Sequence, residues 1–219
     1  MNSRFWKSGM IALTAIVATG VVTGVMQGTA VQAIPQKAGQ KVSPADLTGT
    51  WAIDNSHTEI GFAVAHLGVS KTRGRFTDFS GTLNVNGTQP EKSSVTVDIN
   101  VNSINTGNEK RDEHLRGKDF FDAATYPKIT FKSTSIRKAG SEYIAYGNLT
   151  LKSATKPVAL RFKPTPAVKG PDGKLHAGMS TKLSINRKDY GLTWNGVIEG
   201  VQAVGDIVDI TIDLEAIKQ

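Results

Sequence analysis

The chain has 219 residues, 26 Lys and Arg against 19 Asp and Glu, a formal charge of +7, and no cysteine. The missing cysteine excludes a disulfide framework, a thiolate metal centre and a lipidated N-terminal Cys. Acids and bases are interspersed instead of forming basic blocks, so the charge gives no nucleic-acid footprint.

The N-terminus reads as a secretory signal. Arg4 and Lys7 form a basic start, Met10 to Met26 is uncharged and mostly apolar, and Val31-Gln32-Ala33 offers small residues where a signal peptidase reads. Cleavage is expected after Ala33, giving a periplasmic or secreted protein of charge +5, because residues 1–33 carry Arg4 and Lys7 and no acid. A retained anchor is the alternative, although Gly20 and Gly24 interrupt a run that is borderline for the ~20 residues of a membrane span. Residues 34–47, polar and holding Pro35, Gly39 and Pro44, read as a flexible linker, and a single domain is expected over 48–219.

From there period-2 alternation dominates. Ile60, Phe62, Val64 and His66 share one face; Leu83 and Val85 follow, then an Asn86-Gly87 turn signal. Val95, Val97, Ile99 and Val101 form the next face, and Ile129 with Phe131 another. Tyr143 to Leu151, Val158 to Phe162, Leu175 to Ile185 and Val208 to Leu214 repeat the pattern. Gly170 to Gly173 and Lys138 to Ser141 mark turns. Asn108 to Asp122 breaks the pattern: it is rich in Glu, Lys, Arg and Leu, lacks β-branched residues, and predicts a helical crossover covering one barrel end.

The expected fold is all-β. Long strands with one wet face and no helical layer bury their apolar faces against each other, and about eight of them do so by closing into an antiparallel barrel. A sandwich is the alternative. Such a barrel is either filled by its own side chains or holds a small ligand. Gly74, Gly147, Ala177 and Thr181 interrupt otherwise bulky inward faces and leave room; equally, they fit the taper of a filled barrel. The pattern alone leaves both readings open.

Motifs along nearly the whole domain narrow the choice. Trp51-Ala52-Ile53-Asp54 with His57, Phe62-Ala63-Val64-Ala65-His66-Leu67-Gly68, and Gly74-Arg75-Phe76 with Phe79-Ser80-Gly81 open the series. Arg111-Asp112-Glu113-His114-Leu115 is the most specific block; Asp119-Phe120-Phe121-Asp122 and Tyr126-Pro127-Lys128-Ile129-Thr130-Phe131 follow it. Gly147-Asn148-Leu149-Thr150-Leu151, Thr155-Lys156-Pro157-Val158 and Arg187-Lys188-Asp189-Tyr190-Gly191 complete it. This series resembles the YceI-like family, with Ser153-Ala154 departing from the usual Gly-Val and Asn186-Arg187-Lys188 a loose version of its R-x-D approach. The resemblance implies an extended eight-stranded lipocalin-like β-barrel that binds polyisoprenoid or similar amphiphilic lipid in a hydrophobic pore, with no cofactor besides that lipid.

The expected pore lining is Phe62, Val64, His66, Phe76, Val97, Ile99, Phe131, Leu149, Leu151, Phe162, Met179 and Leu183. His66, Arg111 and His114 are candidates for the head-group end, with helix anchoring as the competing role of Arg111, Asp112 and His114. His57 is expected in a hydrogen-bonded turn and His176 in solvent. Trp194 falls at an expected hairpin tip, packed or free to touch a membrane transiently. No metal motif is present, since no second His stands at the helical offset from Glu113-His114 that H-E-x-x-H needs. No G-x-S-x-G or phosphate-cradling loop occurs, so a binding protein and not an enzyme is expected. A small hydrolase or isomerase using a His in the same pocket, and a ligand-free structural or stress-response module, are the alternatives. Sequence alone does not decide between monomer and homodimer.

Overall fold

The computed structural model describes residues 42–198 and 201–219. The expected signal and residues 34–41 of the linker lie outside them. Residues 42–47, the rest of the expected linker, include a 3-10 turn at Ala45–Leu47. This turn docks on the domain: Trp51 Nε1 donates to the Leu47 carbonyl at 2.9 Å, and Lys218 Nζ donates to that of Asp46.

Eight strands run up and down in chain order and close on themselves. β1 is Gly49–Ile53 continuing as Glu59–His66, β2 is Ser70–Phe76 continuing as Phe79–Val85, and β3 is Ser94–Asn100 continuing as Ile104–Asn105. After the helix α1 (Glu109–Arg116) come β4 (Lys128–Ala139), β5 (Glu142–Leu151), β6 (Ala154–Pro164), β7 (Leu175–Asn186) and β8 (Val204–Lys218). Each strand pairs antiparallel with the next, and β8 returns to β1 through Ile53↔Ala216 and Phe62↔Ile210. Closure satisfies backbone groups that an open sheet would expose.

The alternation read from sequence sets the register. Phe62 faces Ile210, Phe131 faces Leu149 and Leu183 faces Ile210, so the apolar sets converge inside while Asp209, Asp213, Lys71 and Ser184 face out. One seam is incomplete. β6 pairs with β5 along its whole length but with β7 only at Pro164 and Lys163. Thr181 adds a side-chain hydrogen bond to the Arg161 carbonyl at 2.8 Å, and above it β6 and β7 share no backbone ladder.

The Asn86-Gly87 signal does not make a tight hairpin. Asn86 Oδ1 instead accepts from Gln89 N at 2.9 Å and Thr88 Oγ1 at 3.0 Å, starting a longer connection through Pro90–Lys92. The helix is shorter than the expected 108–122. Asn108 caps it by accepting from Arg111 N, and Gly117 ends it, donating to the Glu113 and His114 carbonyls. The next residues coil back on the helix, Asp122 N donating to Gly117 O and Ala123 N to Arg116 O. That return drives Phe120 and Ala123 into the core.

Candidate functional site: the barrel interior

The loops after β1, β3, β5 and β7 gather at one end of the barrel, and this end carries α1. Helix α1 is held down by a buried carboxylate. Asp112 Oδ1 accepts from Thr106 N at 2.9 Å and Thr106 Oγ1 at 2.5 Å. Arg111 turns back on the same residue, Nε to Thr106 Oγ1 at 2.7 Å and Nη2 to the Thr106 carbonyl at 3.0 Å. Over the opening lies an aromatic cluster: His114, Phe120 and Trp194 rings sit 5.0–5.1 Å apart, and Phe121 meets Phe76 edge-on at 6.1 Å.

Trp194 is positioned by Arg187, which is 2% exposed. The guanidinium donates to the carbonyls of Leu192, Trp194, Val204 and Gly205 at 2.5–3.2 Å and lies 3.6 Å from Asp206. Burial lowers its pKa, countered by Asp206. The hairpin tip falls beyond Trp194, at Val197–Ile198 paired with Val201–Gln202.

The opposite end is closed by Trp51, Leu214 and Ala216 with Leu83, Val85, Leu175 and Met179 around them. Between the two ends, buried and partly buried inward residues occur on most strands, with Ile60 on β1 and Ile185 on β7 buried and Tyr143, Val158 and Phe162 on β5–β6 partly buried. Ile129, Phe131, Ile136, Ala145, Leu149, Leu151 and Leu160, on β4–β6, are buried. Phe62, Val64, Val97, Ile99, Leu183, Val208, Ile210 and Ile212, on β1, β3, β7 and β8, face inward yet are only partly buried. A filled barrel buries all of its inward side chains. The partly accessible inward side chains on this wall are aliphatic and aromatic, and the β6–β7 seam has no backbone ladder above Thr181.

At two of the glycines for which both readings stood open, the structure favours close packing over free room. A Cβ on Gly147 would come within 2.6 Å of the Phe131 ring, and one on Gly74 would strike the Phe62 ring. The space beside each glycine is taken by a ring of the neighbouring strand.

Phe76, Phe131, Leu149 and Leu151 are buried in the main core, with Phe62, Val97, Ile99, Phe162 and Leu183 packed against it. Val64 is half-buried on the same wall. Met179 belongs to the cluster at the closed end, away from the rest. His66, expected inward, is exposed at the rim, because β1 ends there opposite Ser70 and Val204. Arg111 and His114 are also exposed, outside the bore. His114 Nε2 lies 2.9 Å from Asp119 Oδ2, and Arg111 is committed to Thr106, the anchoring role. His57 occupies the expected turn, its N–H reaching the Asp54 carbonyl at 3.3 Å. His176 is not in solvent: its side chain is 19% exposed, between Asp172 and Glu215.

Sequence reading missed the Arg187 knot and the role of Phe120 and Trp194 in the cover. Arg187 and Phe120 stood in motif blocks and Trp194 was weighed as packed, yet nothing in their local spacing revealed the knot or the cover. A concavity of about 400 Å³ at the β2–β3 bend is lined by Asp78, Ser80, Asp98, Asn100, Asn102 and Lys128 together with Phe79, Ile99 and Pro127. Among the described residues no helix is long and apolar enough to cross a membrane.

A closed eight-stranded antiparallel barrel with a helical cover and an apolar interior defines the class. Within it, the chain belongs to the YceI-like domain family, whose profile matches residues 51–216. Protein YceI of Salmonella arizonae is 36% identical over 166 residues, 76% of this chain and 84% of that protein. A UPF0312 protein of Yersinia pestis is 41% identical over 140 residues, 64% of this chain and 73% of the relative. Among solved structures, Burkholderia cenocepacia BcnA matches with TM-score 0.65 at 25% identity, covering 74% of this chain and 98% of its own. A polyisoprenoid binding domain from Saccharophagus degradans matches with TM-score 0.58 at 17% identity over 77% of this chain and 98% of its own, a likeness of fold.

Proposed function

We propose that the protein binds an isoprenoid or similar amphiphilic lipid in the barrel interior and acts as a carrier or store, not as an enzyme, in the periplasm or outside the cell after removal of residues 1–33. The observation that supports this reading is the apolar, only partly buried inward wall made by Phe62, Val97, Ile99, Leu183 and Ile210. Each CH₂ moved from water onto such a wall contributes ~0.8 kcal/mol, so a ten-carbon stretch contributes on the order of 8 kcal/mol before ordering costs. The polyisoprenoid binding domain with the same fold supports the choice of ligand class.

The tail enters at the β6–β7 seam, where no ladder closes the wall above Thr181. The polar head stays at the rim beside His66 and the covering helix with Arg111 and His114. Val69, Val197 and Ile207, 88%, 69% and 53% exposed, surround the same end and suit transient contact with a bilayer during loading. The test is organic extraction of untagged protein purified from its own source, followed by fragmentation mass spectrometry. An isoprenoid-type amphiphile in amounts matching the protein supports the reading. Extracts no richer in lipid than a column blank overturn it.

A further inference from the structure

On the outer wall, near the closed end, β1 is interrupted between Ile53 and Glu59. The five residues Asp54 to Thr58 loop outward across β8, whose pairing resumes at Asp213↔Glu59. Interruptions of this kind re-aim side chains, and they are enriched beside functional sites. Here the loop sets Asp54 and His57 against Glu215, and one donor atom from each residue lies within 4.8 Å of the others.

The arrangement is tied down on both sides. Asp54 N donates to the Glu215 carbonyl at 2.9 Å, and Glu215 N donates to Thr58 Oγ1 at 3.0 Å. Ser56 fixes Asp54 Oδ1 through its N–H at 2.9 Å and its hydroxyl at 2.5 Å. Asp54 Oδ2 lies 2.8 Å from His57 Nδ1. Glu215 Oε1 lies 2.8 Å from His176 Nδ1, whose other ring nitrogen meets Asp172 Oδ1 at 3.0 Å. Among the described residues the ion-pair partners of Asp54, Asp172 and Glu215 are histidines. Three carboxylates thus gather around two imidazoles, with Lys174 beside Asp172.

We infer that Asp54, His57 and Glu215 form a binding site for a divalent transition-metal ion of the Zn²⁺ type, with His176 as the outer partner that orients Glu215. Two carboxylates match the ion's charge, and an imidazole favours the first-row transition metals over Ca²⁺ or Mg²⁺. Donors on a tetrahedral Zn²⁺ at about 2.1 Å stand roughly 3.4 Å apart, within the 4.8 Å that bounds the present cluster. Three protein ligands leave a coordination position for water. Held by Asp172, His176 fixes Glu215 through a hydrogen bond, as the hydrogen-bonded partners of ligating carboxylates do in metal sites. The site faces away from the bore and does not depend on lipid.

The experiment uses untagged protein dialysed against chelator and titrated with Co²⁺, followed by visible absorption and competition with Zn²⁺. One saturable ion per chain is expected. His176→Gln weakens binding on the order of 10–100-fold and His57→Ala by more. His57 is exposed and His176 largely enclosed, and circular dichroism verifies that the variants fold. A bore variant, Ile210→Trp, leaves Co²⁺ binding unchanged, separating this site from the lipid reading. Absence of saturable binding, or equal affinity in wild type and His57→Ala, overturns the assignment.

Discussion

Gly147→Ala tests how the barrel wall is built. The new Cβ would lie 2.6 Å from the Lys132 carbonyl oxygen and 2.6 Å from two carbons of the Phe131 ring, where ordinary contact begins at 3.4 Å. Relief requires movements of about 0.8 Å by a ladder carbonyl of β4 and by a ring buried in the main core. The ring can only swing into the bore, while the carbonyl is fixed by strand pairing. Overpacking of this kind costs about 1–3 kcal/mol. For a domain of this size each kcal/mol lowers Tm by roughly 2–4 °C, so a fall of about 2–12 °C is expected in differential scanning calorimetry. Phe131→Leu in the same background removes the ring conflict but not the carbonyl one, and the pair is therefore non-additive. A Gly147→Ala protein melting within 1 °C of wild type, in apo and lipid-bound form alike, would refute this packing.

Arg187→Met strips donors from four carbonyls that remain enclosed; a loss of about 3 kcal/mol or more is expected, with a red shift of Trp194 fluorescence and faster amide exchange over 187–205. Stability unchanged by urea titration would contradict the knot. Asp112→Ala orphans the Thr106 donors and frees α1, costing about 1–3 kcal/mol, with exchange rising first in 106–116. Hydrogen bonding to Asp54 raises the pKa of His57, and hydrogen bonding to Glu215 and then Asp172 raises that of His176. Their contribution is full below the unfolded value near 6.5 and is lost as pH climbs through the raised folded values. With chelator present, Tm therefore declines from pH 6 toward alkaline pH, and His176→Gln flattens the slope; an unaltered slope in that variant removes the explanation. At the acidic end, the Asp54 carboxyl, held at about 2 by His57 and then Ser56, contributes above its ordinary 3.8 and ceases to do so as pH falls through 2.

The strand faces were legible because a one-residue slip would turn every apolar side chain outward. Phe62, Phe131, Leu149 and Leu183 fall inside as their alternation requires. Helix α1 was legible as a helix but not in length, since Gly117 and the return of Phe120 and Ala123 depend on the core beneath them. Polar residues were read less well. His176 and Glu215 meet only through β7–β8 pairing, and Arg187 finds carbonyls from two separated segments, so neither association has a local spacing to betray it. His66 illustrates the limit of face arguments: it shares the face of Phe62, but the strand ends there and its side chain leaves the barrel. Gly74 and Gly147 were correctly seen as special, yet the space beside each belongs to a ring on the neighbouring strand, which no one-strand pattern reveals.

The central claim is an open apolar bore that holds a lipid tail. Native mass spectrometry of wild type and Ile210→Trp, both purified from the protein's own source, addresses it most directly. The account predicts a wild-type species carrying one lipid per chain and a folded Ile210→Trp protein of bare polypeptide mass, because an indole at that half-buried inward position fills the bore. Wild type at bare mass under gentle ionisation, or lipid retained equally by the tryptophan variant, would contradict it.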